Sequence, residues 1–390
     1  MAVKHTAAVS IDDINQHDRR YLGRHYVFSK NRAELLVDGQ QAYPAMLEAI
    51  ANAKRSIAFE SYIFSADVIG ERFLVALCER AKDGVAVRVI IDGVGSMDTS
   101  ANFWQPLINA GGEVVVFHPP RKISFSAKNF WVRDHRKLLI IDDYIAFIGG
   151  INIGREYAPT EWGGANWHDI HAQIHGPVAH GLMVLFNRTW RQVTKKDWNV
   201  YLGPPQEAGN TAMQILEGRL TKRHSVRRAY LHAIANATST IRITNAYCIP
   251  DRDVQRALQR ARKRGVRVQL LLSGRTDIRS IQFAGRYLYR RLLKWGIEIY
   301  EWTERVLHAK TAVVDGYWCS IGSYNLDRRS LLHNLEANVA CVDKKLGTAF
   351  DQQFENDLRR SHFIDPTTWH RRPSLQKLLE FFFYQLRYLL

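Results

Sequence analysis

The 390-residue chain is short of cysteine, of long apolar runs and of acidic charge, and each shortage excludes something. Its four cysteines, Cys78, Cys248, Cys319 and Cys341, show no C-x-x-C spacing and lie in apolar stretches. The sequence therefore predicts reduced, buried thiols rather than a disulfide framework or a zinc site. No window reaches about 18 consecutive apolar residues, which excludes a bilayer-spanning helix. Residues 1–40 carry Arg19, Arg20, Arg24 and Arg32 and lack the apolar core of a secretory signal, so a cytoplasmic location is expected. Acidic residues number 38 against 54 Lys and Arg, a net charge of +16 with His neutral. That imbalance calls for a polyanionic partner, and nucleic acid or an acidic membrane surface satisfies it equally. What remains, 46% hydrophobic and 24% charged, is an ordinary globular composition, long enough for about two domains.

The chain repeats itself. Leu47, Ala49-Ile50-Ala51-Asn52-Ala53 and Ile57 match Leu231, Ala233-Ile234-Ala235-Asn236-Ala237 and Ile241 at an offset of 184. Lys82, Gly84, Val85 and Val87 match Lys263, Gly265, Val266 and Val268 at 181, and Gly111 and Glu113 match Gly296 and Glu298 at 185. Each copy reads as a helix, a short apolar strand (56–64 and 240–249), an amphipathic helix ending at glycine, and a second strand (85–92 and 266–273). Strands alternating with helices in this way indicate an α/β layered fold built twice. The Gly/Pro cluster at 203–210 is the expected linker. The expected boundaries are an N-terminal segment 1–33, halves 34–202 and 211–365, and a C-terminal amphipathic segment 366–390.

A motif occurs once in each half. His135, Lys137 and Asp142 form H-x-K-x4-D, and His308, Lys310 and Asp315 repeat it at an offset of 173. Gly149-Gly150 and Gly322-Ser323 follow at equal spacing, then Asn152 and Asn325. Three fixed residues at roughly one in twenty each would match by chance about 0.05 times in such a chain, so two copies are not accidental. In a strand, residues two apart share a face, so each His and Lys should project together. Asp142 lies an odd number of residues from both, and Asp142 and Asp315 are expected to hold the scaffold rather than move protons. If the halves pack about a pseudo-two-fold axis, two imidazoles, two ammoniums and two Asn amides meet in one pocket. That inventory suits a phosphodiester: Lys137, Lys310, Asn152 and Asn325 for the nonbridging oxygens, the imidazoles for nucleophile and general acid. The lysines should depress both imidazole pKa values, so carboxylates are needed to orient the rings. Asp169 and Glu336, each in a strand-like run after its motif, are the candidates. The pocket already holds its cations and no cluster has ligand spacing, so neither metal nor cofactor is implied.

The duplicated motif closely resembles the signature of the phospholipase D superfamily, and within it the chain is similar to the short-form bacterial cardiolipin synthases. The resemblance extends over residues 34–365, including Trp167-His168-Asp169 before Gly176-Pro177, and Asn325-Leu326-Asp327-Arg328-Arg329-Ser330. It implies a fold of two α/β/α layered halves about a pseudo-two-fold axis with one shared active site. It also implies a phosphohistidine in a ping-pong reaction, with His135 as nucleophile, His308 as acid then base, and Asp169 and Glu336 as their carboxylate partners. In this family a phosphatidyl group passes from phosphatidylglycerol to the hydroxyl of a second lipid, releasing glycerol, with phosphatidylethanolamine as an alternative co-substrate. Three other readings stand beside this one: a phospholipase D passing the same intermediate to water, a less favoured phosphodiesterase acting on nucleic acid, and a non-catalytic membrane-binding protein, which His135→Ala would leave functional.

Without transmembrane helices such a protein would be peripheral, at the cytoplasmic face of the membrane, and two segments could hold it there. The interval from the matched glycine to the motif histidine is twelve residues longer in the first half. The extra residues, around 119–131, mix Arg121, Lys122 and Lys128 with Ile123, Phe125, Phe130 and Trp131, which suits either an anionic lipid interface or a solvated loop. At 374–390, Leu375, Leu378, Leu379, Phe382, Phe383, Leu386, Leu389 and Leu390 follow helical spacing, as an interfacial helix or one docked on the core would. A basic stretch from Arg275 to Lys294 is expected to be the solvated face of a helix, with help in binding anionic headgroups as the alternative. The oligomeric state is not encoded in any of these features.

Overall fold

A computed structural model describes residues 21–22, 27–120, 131–198, 204–218 and 224–388. The first half runs β1 (Phe28–Val37), α1 (Asp38–Ala51), β2 (Ser56–Ser61), α2 (Val68–Lys82), β3 (Ala86–Asp92), α3 (Gln105–Asn109), β4 (Glu113–Phe117), β5 (Arg133–Asp134), β6 (Leu138–Ile141), β7 (Ile145–Gly149), β8 (Ile170–His175) and α4 (Pro177–Thr194). The second repeats it as β9 (Thr211–Gly218), α5 (Ser225–Asn236), β10 (Thr240–Asn245), α6 (Arg252–Lys263), β11 (Arg267–Ser273), α7 (Arg279–Lys294), β12 (Glu298–Trp302), β13 (Lys310–Val314), β14 (Trp318–Gly322), α8 (Arg328–Leu332), β15 (Asn334–Val342) and α9 (Lys344–Arg359). The short β16 (Ser361–Phe363) and α10 (Ser374–Gln385) close the described chain.

Local chemistry explains the repeated boundaries. Asp67 and Asp251 cap α2 and α6 by accepting hydrogen bonds from two backbone N–H groups each. Both helices stop before a glycine in the left-handed region, Gly84 at φ 83° and Gly265 at φ 90°, a conformation that a side chain would strain.

The strands order as β16-β12-β11-β10-β13-β14-β15-β9-β1-β8-β7-β6-β2-β3-β4, with β5 beside β15. Outward from the central antiparallel pair β1–β9, each half therefore lays down its equivalent strands in the same sequence. β2-β3-β4 and β10-β11-β12 are parallel runs, β5 pairs parallel with β15, and the other pairings are antiparallel.

Alternation along the strands separates three cores. Leu139 and Ile141 of β6 point with Ile57, Phe59, Val87 and Val89 toward α1 and α2. Leu138 and Ile140 point the other way, into a core shared by both halves, where α4 and α9 meet Val313, Cys319, Ile321 and Val339. A third core lies under α5, α6 and α7. The four cysteines are free and buried in these cores. Of the twelve additional residues in the first half, 121–130 lie outside the described residues, as do Leu389 and Leu390.

The C-terminal helix uses two faces. Phe383 stacks on Phe283 and Tyr384 on Tyr287 of α7, with ring centroids 5.8 and 4.3 Å apart, and Glu380 is buried against Arg372 at 2.7 Å. Leu375, Leu378 and Phe382, on the opposite side, are 68%, 62% and 53% exposed. Along α7 itself the basic residues do not all face water, since Arg286 pairs with the buried Glu301 at 2.7 Å.

Candidate active site

Each motif histidine sits just ahead of a strand and is pinned by the opposite half. β5 pairs with β15, and the backbone N–H of His135 donates to Leu335 O at 3.0 Å. Reciprocally, Leu307 bridges to His168, and the N–H of His308 donates to His168 O at 2.7 Å. These contacts carry each imidazole to a carboxylate from the other half. His135 Nδ1 lies 3.0 and 3.1 Å from the two oxygens of Glu336, and His308 Nδ1 lies 2.8 Å from Asp169 Oδ2. With Nδ1 so engaged, Nε2 of each ring is left for a ligand. Both rings line one cavity of about 330 Å3, together with Asn152, Asn325, Tyr157 and Arg329.

The strand-alternation expectation needs correction here. His135, Arg136 and Lys137 precede β6, and His308 precedes β13, so period-two alternation does not set their directions. Lys137 and Lys310 instead turn back and donate to the carbonyls of their own histidines, Lys137 at 2.6 Å. Both ammoniums are buried rather than on the cavity wall. Asp142 and Asp315 lie beyond the strand ends, at φ 53° and 56°. Asp142 accepts from the backbone N–H groups of Lys54, Arg55 and Ser56 at 2.7–2.8 Å, and Asp315 from Thr238, Ser239 and Thr240 at 2.8–2.9 Å. They tie the motif strands to β2 and β10 and do not line the cavity.

The two asparagines differ. Asn152 donates to Tyr157 OH at 2.7 Å and accepts from Ile63 N–H at 3.1 Å. Asn325 Oδ1 is buried without a hydrogen-bond partner.

Burial depresses the His135 imidazole well below its ordinary value, and Lys137, Lys310 and His308 push it further down. Burial and Lys310, whose Nζ is 2.9 Å from Nδ1, also lower His308, but Asp169 opposes them. The carboxylates are unlike. Burial lifts Glu336 to about 7, although Lys137 pulls it down. Burial also acts to raise Asp169, yet Lys310 and His308 outweigh it and hold the group ionised. Burial brings Lys137 to about 7 and Lys310 to about 8.

Several functional neighbours escaped the sequence reading. Tyr62 meets the His135 ring edge-on at 4.9 Å, Tyr157 OH lies 3.3 Å from His308 Nδ1, and Ser323 donates to Glu336. His168 holds Asp38 at 2.7 Å and Asp357 at 3.1 Å; burial lowers its pKa, but those partners carry it to about 9, so a buried cation ties Asp38 to Asp357. The Gly150/Ser323 difference between the repeats was the visible signal. A Cβ on Gly150 would fall 2.3 Å from Asp169 Oδ1, whereas Ser323 has room to bond Glu336. The tyrosines carry no such signal, being isolated aromatics outside the motifs. Among the described residues no three His, Cys, Asp or Glu side chains are grouped as a metal ion would require.

The cardiolipin synthase, phospholipase D-like domain family matches residues 46–190 and 230–358. Cardiolipin synthase B of Salmonella typhi is 33% identical over 339 residues, 84% of this chain and 80% of that protein. Cardiolipin synthase of Geobacillus thermodenitrificans is 32% identical over 364 residues, 92% and 72% respectively. Phosphatidylserine synthase of Haemophilus influenzae Rd KW20 shares the fold, with a TM-score of 0.71 at 14% identity over 92% of this chain and 95% of that one. From the duplicated architecture, the paired motifs facing one cavity and these matches, the chain belongs to the phospholipase D-like family of cardiolipin synthases.

Proposed function

We propose that the protein is a phospholipase D-type phosphatidyltransferase that moves a phosphatidyl group from phosphatidylglycerol to the hydroxyl of a second phospholipid, as a cardiolipin synthase does. The observation that carries this reading is the unequal pair of imidazoles on one cavity, each fixed through Nδ1 by a carboxylate. A neutral imidazole can attack phosphorus only through a free Nε2, and burial with two nearby ammoniums keeps His135 neutral. His308 shares the burial but has an ionised carboxylate at 2.8 Å, so it is the better proton carrier.

In the first step His135 Nε2 forms a bond to phosphorus as the bond to the glycerol oxygen breaks, and that oxygen takes a proton from His308. In the second, His308 accepts the proton of the incoming lipid hydroxyl as its oxygen displaces His135 from phosphorus. Lys137 and Lys310, buried behind the cavity wall with pKa values of about 7 and about 8, are protonated more fully when an anion approaches and supply positive charge behind the nonbridging oxygens, to which the amide N–H of the cavity-lining Asn325 donates. Asn152 acts less directly, through Tyr157. Glu336 and Asp169 are positioning residues, and Asp142 and Asp315 hold the motif turns. The enzyme works peripherally at the cytoplasmic face of an anionic membrane, in keeping with its charge of +16 and the outward apolar stripe of α10. Among the described residues no helix is long and apolar enough to cross a membrane.

Lipid mass spectrometry after incubation with phosphatidylglycerol vesicles in EDTA, alongside His135→Ala, tests this reading. A lipid with two phosphates and free glycerol is expected from the wild type and neither from the variant. Phosphatidic acid alone would make water the acceptor and the protein a phospholipase.

A further inference from the structure

Across α8 from the catalytic cavity lies a second cavity, about 480 Å3, that the chemistry above does not use. Arg329 lines the first and its neighbour Arg328 the second, so this short helix is a shared wall. The second cavity presents four guanidinium groups, Arg227, Arg252, Arg328 and Arg387, against Asp251 and Asp253. Both carboxylates are already engaged. Asp251 caps α6, accepting from Asp253 N–H at 2.8 Å and Val254 N–H at 3.2 Å, and both pair with Arg227 at 2.6 and 2.5 Å.

That leaves a cationic surplus. Among the described residues Arg252 and Arg328 form no ion pair, and Arg328 Nε is buried with no hydrogen-bond partner. The Arg328 guanidinium lies 4.1 Å over the Tyr388 ring, and Arg387 lies 4.2 and 4.5 Å over Tyr384 and Tyr388. Arg387 also donates to Tyr384 O at 2.7 Å and to Tyr388 OH at 3.3 Å, which holds it in place, while the stacked Arg328 guanidinium is held flat with its Nε unpartnered, an arrangement that suits a tetrahedral oxyanion. Tyr384 belongs to α10, so the cavity adjoins the helix whose far side exposes Leu375, Leu378 and Phe382.

We propose that this cavity is a second phosphate site, taking the headgroup of an anionic phospholipid that remains in the bilayer, while the outward stripe of α10 rests against the acyl region. The inference builds on the membrane reading above, but binding can be measured without turnover. A lipid is favoured over free phosphate because α10, which supplies Tyr384 to the cavity, also carries an exposed apolar stripe that a bilayer would cover.

The test is flotation of the full chain with phosphatidylcholine vesicles, with and without phosphatidylglycerol, in a His135→Ala background so that no lipid is consumed. The Arg328→Gln/Arg387→Gln double variant is expected to bind the phosphatidylglycerol vesicles about tenfold more weakly than its parent. Sodium phosphate at constant ionic strength should leave the parent bound. Arg252→Gln, an exposed position whose loss leaves packing intact, is the second variant and should also weaken binding. Unchanged flotation in Arg252→Gln and in a double variant that keeps the parent's circular dichroism and Tm overturns the proposal. So does release of the parent by phosphate, which would make free phosphate the ligand. Lipid binding that depends on these arginines in a protein with no transferase activity would refute the catalytic reading and leave this one standing.

Discussion

His135 and His308 occupy equivalent motif positions yet differ in the group behind them, and the proposed division of their work rests on this difference. Asp169 is one of the groups that raise the His308 pKa, so Asp169→Asn should lower it further. Less of the imidazolium then survives at a given pH. The alkaline limb of the kcat/KM profile, which reports loss of the acid's proton, is expected to move to lower pH, with a fall of about 10²-fold at neutral pH. A lower rate with an unmoved limb would remove Asp169 from this role. The motif residues were legible in the sequence because their spacing repeats, and the two carboxylates because each lies in a strand-like run after its motif, 34 and 28 residues beyond the histidine. Which carboxylate serves which histidine was not: the pairing is set by the β5–β15 and Leu307–His168 contacts between halves, and each carboxylate follows the other histidine's motif in sequence.

At the scale of elements, the turn after each motif strand depends on one aspartate. Burial acts to raise the Asp315 pKa, but the backbone N–H groups of Thr240, Thr238 and Ser239 bring it down to about 2. A depressed folded-state value means that the stabilisation is fully present above the ordinary 3.8 and is lost as pH falls toward 2. Asp315→Asn tolerates the left-handed backbone but removes the charge, and should cost about 1–3 kcal/mol at neutral pH. The Tm gap between wild type and variant should narrow as pH falls below about 4, and a gap independent of pH would show that the charge contributes nothing. The repeated helices and strands could be read from periodicity, with ends within a few residues. The seating of α10 could not, because Phe383 and Tyr384 on one side and Leu375, Leu378 and Phe382 on the other leave apolar groups almost all round.

For the molecule as a whole, the matching strand order on either side of β1–β9 makes one site from two copies within a single chain. Mixing His135→Ala chains with His308→Ala chains should therefore restore no activity, as judged by release of glycerol from phosphatidylglycerol. Recovery of about a quarter of the wild-type rate would instead place the site between exchanged halves of two chains. The duplication was evident from the repeats, whereas the shared central core was not, since residues such as Leu138 and Val313 look the same whether they face a helix or the other half. The crossed carboxylates have an evolutionary consequence. A damaged Glu336 disables the histidine of the first copy and a damaged Asp169 that of the second, so neither copy can decay into a passive scaffold while its twin keeps working. Each copy stands hostage to the other, and selection acting on either one preserves both.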